Sequence, residues 1–289
     1  MDAVINWPAP AKLNLFLYIN NQRKVDNYHN LQTLFQLLDF GDTLTFTVRQ
    51  DAQLRLLKPI EGVLDETNLI LIAARLLQAH AIKNKLFTAQ ILGADILINK
   101  KIPMGAGLGG GSSNAATTLV ALNHYWRLNL SIDELVLLGR QVGADVPVFI
   151  MGRSAFAEGI GDVLMPIALP AKWFLVVTPR ISISTKTIFS HPSLPRSRPP
   201  QTVNQCLTAN FANDCEVLVR MLYPALNQLM NEVSTLAPVC LTGTGSAFFS
   251  TFDDQNKAEE IQKKLPQACP SFISQGSSVS PLTNHRINT

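Results

Sequence analysis

Residues 101–116 read KIPMGAGLGGGSSNAA, with five glycines in the seven positions from Gly105 to Gly111. Glycine loses more backbone freedom on ordering than any other residue, so such a run persists only where the chain turns sharply or something approaches the backbone closely. Beyond it, Ala115, Leu119, Leu122 and Trp126 recur at helical spacing, which predicts a helix from about Ser113 to Arg127. The loop therefore opens a helix. Consecutive backbone N–H groups, unshielded by side chains and ending at a helix N-terminus, form a cradle for an anion. The hydroxyls of Ser112 and Ser113 add donors and candidate metal ligands.

Several glycine-rich loops share this look. Gly105, Gly107 and Gly110 satisfy GxGxxG, but a dinucleotide fold also wants an acidic residue about 20 positions on, closing a second strand. Asp133 and Glu134 instead fall at the capped start of a helix. No Gly-Lys-Ser/Thr follows, which excludes a Walker A loop. Asp39-Phe40-Gly41 spells DFG, yet in protein kinases the glycine loop comes first, and HRD is absent here. That tripeptide is read as a turn between two apolar segments.

A chain of 289 residues with 47% hydrophobic content is long enough for one large or two modest cored domains. The net charge of +3 is spread rather than clustered, which leaves no nucleic-acid footprint and suits an anionic small molecule. Cys206, Cys215, Cys240 and Cys269 show no CxxC spacing and are expected to be reduced thiols. MDAVINWPAP lacks the basic start and apolar core of a signal peptide, and no apolar run suits a membrane span. The expectation is a soluble, cytoplasmic protein.

From Lys12 to Ile19 the chain alternates, with Leu13, Leu15, Leu17 and Ile19 on one face and Lys12, Asn14, Phe16 and Tyr18 on the other. Segments 43–49 and 53–57 read as a strand pair, 68–81 as a helix and 89–99 as a further strand pair. Ser131 and Glu134 have capping-box spacing for a helix that ends at a glycine cap near Gly143, followed by the turn GADVP. After about 157 come strand-like FLVVT and ISIST, a loop at 191–201 (HPSLPRSRPPQ), a glycine turn at 241–249 and an amphipathic helix near 255–265.

PMGAGLGGGSSNAA, from Pro103 to Ala116, resembles the second signature of the GHMP kinases, a superfamily of small-molecule ATP-dependent kinases. PAPAKLNLFLYI at 8–19 resembles the first signature and LTGTGSA at 241–247 the third. With YHNLQTLFQ at 28–36, GADVPVF at 143–149 and AEGIGD at 157–162, the likeness is to the branch acting on a cytidyl diphosphate methylerythritol. It implies a two-domain α+β fold. Residues 1–157 would form the glycine-loop nucleotide domain and 158–289 a ferredoxin-like substrate domain, with the substrate between them.

The resemblance implies transfer of the ATP γ-phosphoryl group to a hydroxyl, with Asp145 as base and Lys12 as electrostatic stabiliser. Asn14 shares the face of Lys12, two positions and roughly 7 Å along a strand, and would bond the substrate. Tyr28 and Phe189 match the family's stacking aromatics and His29 its cytosine-binding histidine; Thr185 and Gly243 complete the substrate contacts. For ATP, the loop Pro103, Met104, Gly105, Ala106, Gly107, Leu108, Gly109, Gly110, Gly111, Ser112, Ser113 would hold the phosphates, and Asn68 and Lys100 the adenosine. Mg²⁺ is implied with the nucleotide, but the pattern assigns it no protein ligand. The partner expected is the small cytidyl diphosphate substrate, with no nucleic acid and no membrane, and the chain a monomer or weak homodimer. Two alternatives stay open: a relative acting on another small alcohol, and a catalytically silent nucleotide-binding regulator.

Overall fold

The computed structural model describes residues 5–86, 92–208, 211–266 and 269–283. Its spine is an antiparallel pair of long strands, β1 (Trp7–Gln22) and β2 (His29–Arg49). The alternation read from Lys12 to Ile19 holds only as far as Asn14: a bulge before Leu17 reverses it, so Phe16 and Tyr18 share an apolar layer with Leu13 and Leu15 while Leu17 and Ile19 enter another, and all of them are buried. Register shifts between Pro10 and Lys12, Asn14 and Leu17, and Ile19 and Asn21 bend the pair. Asp39-Phe40-Gly41 is not a turn: it lies within β2. A Cβ on Gly41 would sit 2.4 Å from the Ala9 carbonyl oxygen, so glycine is there for the close approach of β1.

β3 (Leu54–Leu56), α1 (Leu69–Lys83) and β4 (Gly93–Asn99) form a β-α-β unit. β3 runs parallel to β4, and β4 lies antiparallel on β2. The pair expected between 43–49 and 53–57 therefore does not form; β4 stands between them, reached through α1 as a parallel crossover requires. The partner strand expected at the start of 89–99 falls largely on 89–91, outside the described residues.

α2 (Gly110–Tyr125) begins three residues earlier than its periodicity suggested, because the glycines themselves make its first turn. Every residue from Ser113 to Leu122 is buried, since α2 is wedged between the β1/β2 pair and the helices α1, α3 (Ile132–Val142) and α4 (Val146–Met151). The capping box on α3 is present: Glu134 N donates to Ser131 Oγ and Ser131 N to Glu134 Oε2. Gly143 is not a left-handed cap. Its φ of 176° is extended backbone open to any residue, and GADVP leads into α4 with Pro147 in its first turn. β5 (Ala155–Glu158) then pairs with β2 and with β6 (Val163–Pro166).

The second half comprises β7 (Trp173–Val177), α5 (Thr185–Ser190), α6 (Val203–Thr208), α7 (Glu216–Leu222), α8 (Pro224–Ser234), β8 (Cys240–Leu241), β9 (Phe248–Phe252), α9 (Gln255–Lys263) and β10 (Ser271–Ser277). The spatial order is β10-β7-β9-β8, antiparallel throughout, which is the split β-α-β arrangement of ferredoxin-like folds. FLVVT is a strand as expected. ISIST is not: Ser184 Oγ accepts from Thr187 N at 3.3 Å and starts α5 at Thr185, a local cap that outcompetes the alternation. The 191–201 connector is irregular, as read from its prolines.

β10 also pairs with β2 through Gly276 and Ser277, so one strand stitches the two sheets together. Between them lies an apolar layer that includes Leu13, Phe16, Tyr18, Ile102, Leu108, Phe174 and Phe249. Ile102 precedes the glycine run and Ala106 and Leu108 lie within it, so these side chains anchor the loop in the core between its glycines. No described helix is long and apolar enough to cross a membrane.

Candidate active site

Between the halves opens a cleft of about 1080 Å³. Of the predicted site residues, all but Ser113 line it, although they come from seven separate segments of the chain. Ser113 is fully buried one turn into α2.

The glycine loop is shaped by alternating hands. Gly105, Gly107 and Gly109 have φ of 65°, 77° and 71°, whereas Ala106 and Leu108 between them do not enter the left-handed region. Successive N–H groups in such an alternation turn toward one side and make a concave anion site. Space matters as well as φ. A Cβ on Gly107 would lie 2.4 Å from the Thr242 carbonyl oxygen, and one on Gly109 would lie 2.9 Å from the Phe149 ring and 3.0 Å from Lys12 Cγ. Gly109 caps α2 with no side-chain bond, which leaves donors of the first turn for a ligand.

A buried carboxylate holds the start of this loop. Asp42 accepts from Lys101 N at 2.6 Å, Ile102 N at 2.7 Å and Lys100 Nζ at 2.7 Å. Lys100 Nζ also donates to the Ile102 carbonyl at 2.5 Å. Burial pulls the Lys100 ammonium below its ordinary range, against the opposing pull of Asp42. Lys100 thus reaches the cleft with its charge already engaged in fastening the loop.

The catalytic candidates meet. Lys12 Nζ lies 3.2 Å from Asp145 Oδ2 and donates to Asn14 Oδ1 at 2.6 Å. Lys12 is buried beside the Phe35 ring, 5.3 Å from its centroid, whereas a third of the Asp145 side chain is exposed. Asp145 caps α4 by position but makes no capping bond, so its carboxylate serves Lys12 and the cleft. Asn14 Nδ2 donates to Thr33 Oγ1 at 2.8 Å, and that hydroxyl donates to the Phe16 carbonyl at 2.5 Å. The main chain of Lys12 donates to the Leu108 carbonyl at 3.0 Å, tying β1 to the glycine loop.

The second glycine turn closes this wall from the other half. Asn14 N donates to Thr242 Oγ1 at 2.9 Å, and Asn213 Nδ2 donates to the Leu241 and Gly243 carbonyls, each at 2.8 Å. Thr185 Oγ1 is 3.0 Å from Thr244 Oγ1. Thr33, Thr242 and Asn213 escaped sequence reasoning, whereas Thr244 falls in the stretch Gly243 to Ser246 expected to shape the cleft. Thr33 and Thr242 sit inside quoted motifs, but nothing local distinguishes them, and Asn213 has no sequence signal.

At the other end, the His29 and Phe189 rings lie 5.3 Å apart between centroids and tilted by 35°, while Tyr28 beside them is 58% exposed. Arg196, from the connector, donates from Nε to His29 Nε2 at 2.9 Å. Burial first, and the Arg196 charge second, push the His29 imidazole below its usual range, so the neutral ring is favoured. The connector is further fixed by Arg198 on Asp214 and over the Tyr18 ring, and by the reciprocal bonds of Gln32 with the Gln201 main chain.

Among the described residues, three buried side-chain polar atoms have no protein partner: Asn68 Nδ2, Ser113 Oγ and Asn114 Oδ1. Asn68 spends its oxygen capping α1, accepting from Ile70 N at 3.0 Å, and keeps its amide donors free. Among the described residues no cluster of three or more His, Cys, Asp or Glu could hold a metal by itself. The hard oxygens of Asn114 and Asp145, both of which line the cleft, instead fit a Mg²⁺ brought in on phosphates.

The family model for the N-terminal domain of GHMP kinases matches residues 68–153, and that for the GHMP kinase C-terminal region matches 192–271. A crystal structure of a 4-(cytidine 5'-diphospho)-2C-methyl-D-erythritol kinase superposes with a TM-score of 0.80 at 31% identity, over 94% of this chain and 99% of that one. The Methanococcus jannaschii mevalonate kinase (TM-score 0.68, 16% identity, 96% and 99% coverage) shares the fold. So does a homoserine kinase from Cytophaga hutchinsonii (0.70, 15%, 97% and 96%). A glycine cradle over a Lys-Asp pair, in a two-domain mixed fold spanned almost end to end by these matches, makes this chain a member of the GHMP kinases, a family of phosphotransferases.

Proposed function

We propose that the protein phosphorylates 4-(cytidine 5'-diphospho)-2C-methyl-D-erythritol from ATP at the position-2 hydroxyl. The observation that carries this reading is the pairing of two unlike ends in one cleft. A backbone cradle with Lys12 3.2 Å from Asp145 suits phosphoryl transfer, and the aromatic group of Tyr28, His29 and Phe189 suits a flat base. The 31% identical 4-(cytidine 5'-diphospho)-2C-methyl-D-erythritol kinase supports the same choice.

In this mechanism the acceptor hydroxyl oxygen attacks the γ-phosphorus while the bond to the β-phosphate oxygen breaks, and the hydroxyl proton passes to Asp145. The transition state is loose, so the residues act mainly by positioning and by stabilising charge. Lys12, buried and directed by Asn14, pairs with the Asp145 carboxylate and faces the negative charge that gathers on the transferring group. The loop from Pro103 to Ser113 holds the phosphates through its N–H groups, and Asn68 offers its free amide to the adenosine. Mg²⁺ held by phosphates near Asn114 and Asp145 would neutralise charge on the nucleotide.

The test is direct. Purified protein with ATP and Mg²⁺ should release ADP with the cytidyl diphosphate alcohol and give a new phosphomonoester in the ³¹P spectrum. Turnover with mevalonate or homoserine but not with that alcohol would transfer the assignment to another acceptor. ATP binding without turnover on any of the three would favour a silent regulator.

A further inference from the structure

Arg196 was singled out by no motif, yet it makes a dense set of bonds at the base end of the cleft. Besides His29, its guanidinium donates to the carbonyls of Leu194 at 3.0 Å, Phe189 at 3.0 Å and His191 at 2.8 Å. It therefore holds the main chain at Phe189 and one ring nitrogen of His29 together, the two residues whose rings lie against each other.

The bond to His29 carries chemical information. A guanidinium has five donors, no acceptor and no accessible neutral form, so the nitrogen facing it must present a lone pair. Nε2 of His29 is that nitrogen. A neutral imidazole then carries its proton on Nδ1, and Nδ1 has no partner among the described residues, although the ring lines the cleft. His29 as a whole is 6% exposed, and its surroundings oppose a second proton.

We propose that Arg196 is a positioning residue that locks His29 in the Nδ1-protonated form, so that the cleft offers a hydrogen-bond donor to the pyrimidine ring and thereby selects cytosine over uracil. This rests on the cytidyl substrate reading. Cytosine presents N3 as an acceptor, whereas uracil carries a proton there, so a fixed donor meets a lone pair in one case and another donor in the other. A free imidazole could exchange its proton between nitrogens and suit either base. One held by an obligate donor cannot.

Two measurements test this. In ¹⁵N spectra of the wild-type imidazoles at pH 7.5, with His29 assigned by its loss in His29→Asn, Nδ1 should be protonated and Nε2 bare; a protonated Nε2 would overturn the proposal. In kinetics, wild type should favour the cytidyl over the uridyl diphosphate alcohol by on the order of 10²-fold in kcat/KM, a usual scale for one buried bond mispaired. Arg196→Met should cut that preference to a few-fold, mostly by raising KM for the cytidyl substrate, with kcat within about threefold. A variant that weakens both substrates equally, keeping the ratio, would reduce Arg196 to a fastener of the connector and sink the selectivity claim. If wild type turns over neither alcohol, the substrate reading is lost, while the tautomer of the free protein still decides whether Arg196 sets His29.

Discussion

The two ends of the cleft are made from different materials. At the end proposed to take phosphate the groups on offer are main-chain N–H donors, shaped by Gly105, Gly107 and Gly109 and fastened by Asp42, Ile102 and Leu108 to the core. At the end proposed to take the base they are side chains, Tyr28, His29 and Phe189, the last two held by a connector without regular structure. Backbone donors cannot be exchanged by point substitution, so the first end is suited to a group common to every reaction of a kinase family. Side chains can be exchanged singly, so the second end is where acceptors can differ while the fold stays.

This contrast predicts where damage appears. Asp42→Ala would leave the Lys100 ammonium unpaired and two loop N–H groups without an acceptor, and it should reduce stability by about 3–5 kcal/mol. Urea unfolding would measure it; a loss under 1 kcal/mol would mean that the loop does not depend on its core fastening. Asp145→Asn should lower kcat by at least about 10²-fold while nucleotide affinity, followed by calorimetry, stays within a few-fold.

Phe189→Ala should act only at the other end, raising KM for the acceptor about 10-fold with little change in kcat or in KM for ATP. A matching rise in KM for ATP would erase the division between the ends. The smallest effect concerns pH. The His29 imidazole is held below its unfolded value near 6.5 by burial and by Arg196, so the folded chain resists a proton that the unfolded chain accepts. Its contribution to stability is complete above about pH 6.5 and declines as pH falls toward the depressed folded value. The stability difference between wild type and His29→Asn should therefore narrow between pH 7.5 and 5.5, and a widening gap would reverse the sign assigned here.

Local chemistry was legible in the sequence and long-range pairing was not. The Ser131 capping box, the helix after the glycine loop and the shared face of Lys12 and Asn14 depend on residues a few positions apart, and all are present. The neighbour of 53–57 depends on where α1 returns the chain, so the strand pair drawn from proximity was misplaced. Asp39-Phe40-Gly41 looks like a turn by composition, but Gly41 answers to Ala9 across the sheet, Phe40 stacks on Phe272 at 3.8 Å, and Asp39 accepts from Gln275 N. Arg196 is the same lesson at the site. In sequence it is one basic residue among prolines, and only the fold brings it to His29.

Strand β2 carries a consequence of its own. His29 opens it, Thr33 supports Asn14 from within it, and Asp42 fastens the glycine loop farther along. One covalent, hydrogen-bonded ribbon therefore spaces the base reader from the phosphate cradle, over roughly 40 Å of contour at the usual rise of about 3.3 Å per residue. It works as a gauge. One residue inserted between His29 and Asp42 would turn the side chains on one side of it to the opposite face. On the substrate reading proposed above, an acceptor has to span the part of this ribbon that separates His29 from the Lys12–Asp145 pair, and one too short for that span would fill one end of the cleft while leaving the other untouched.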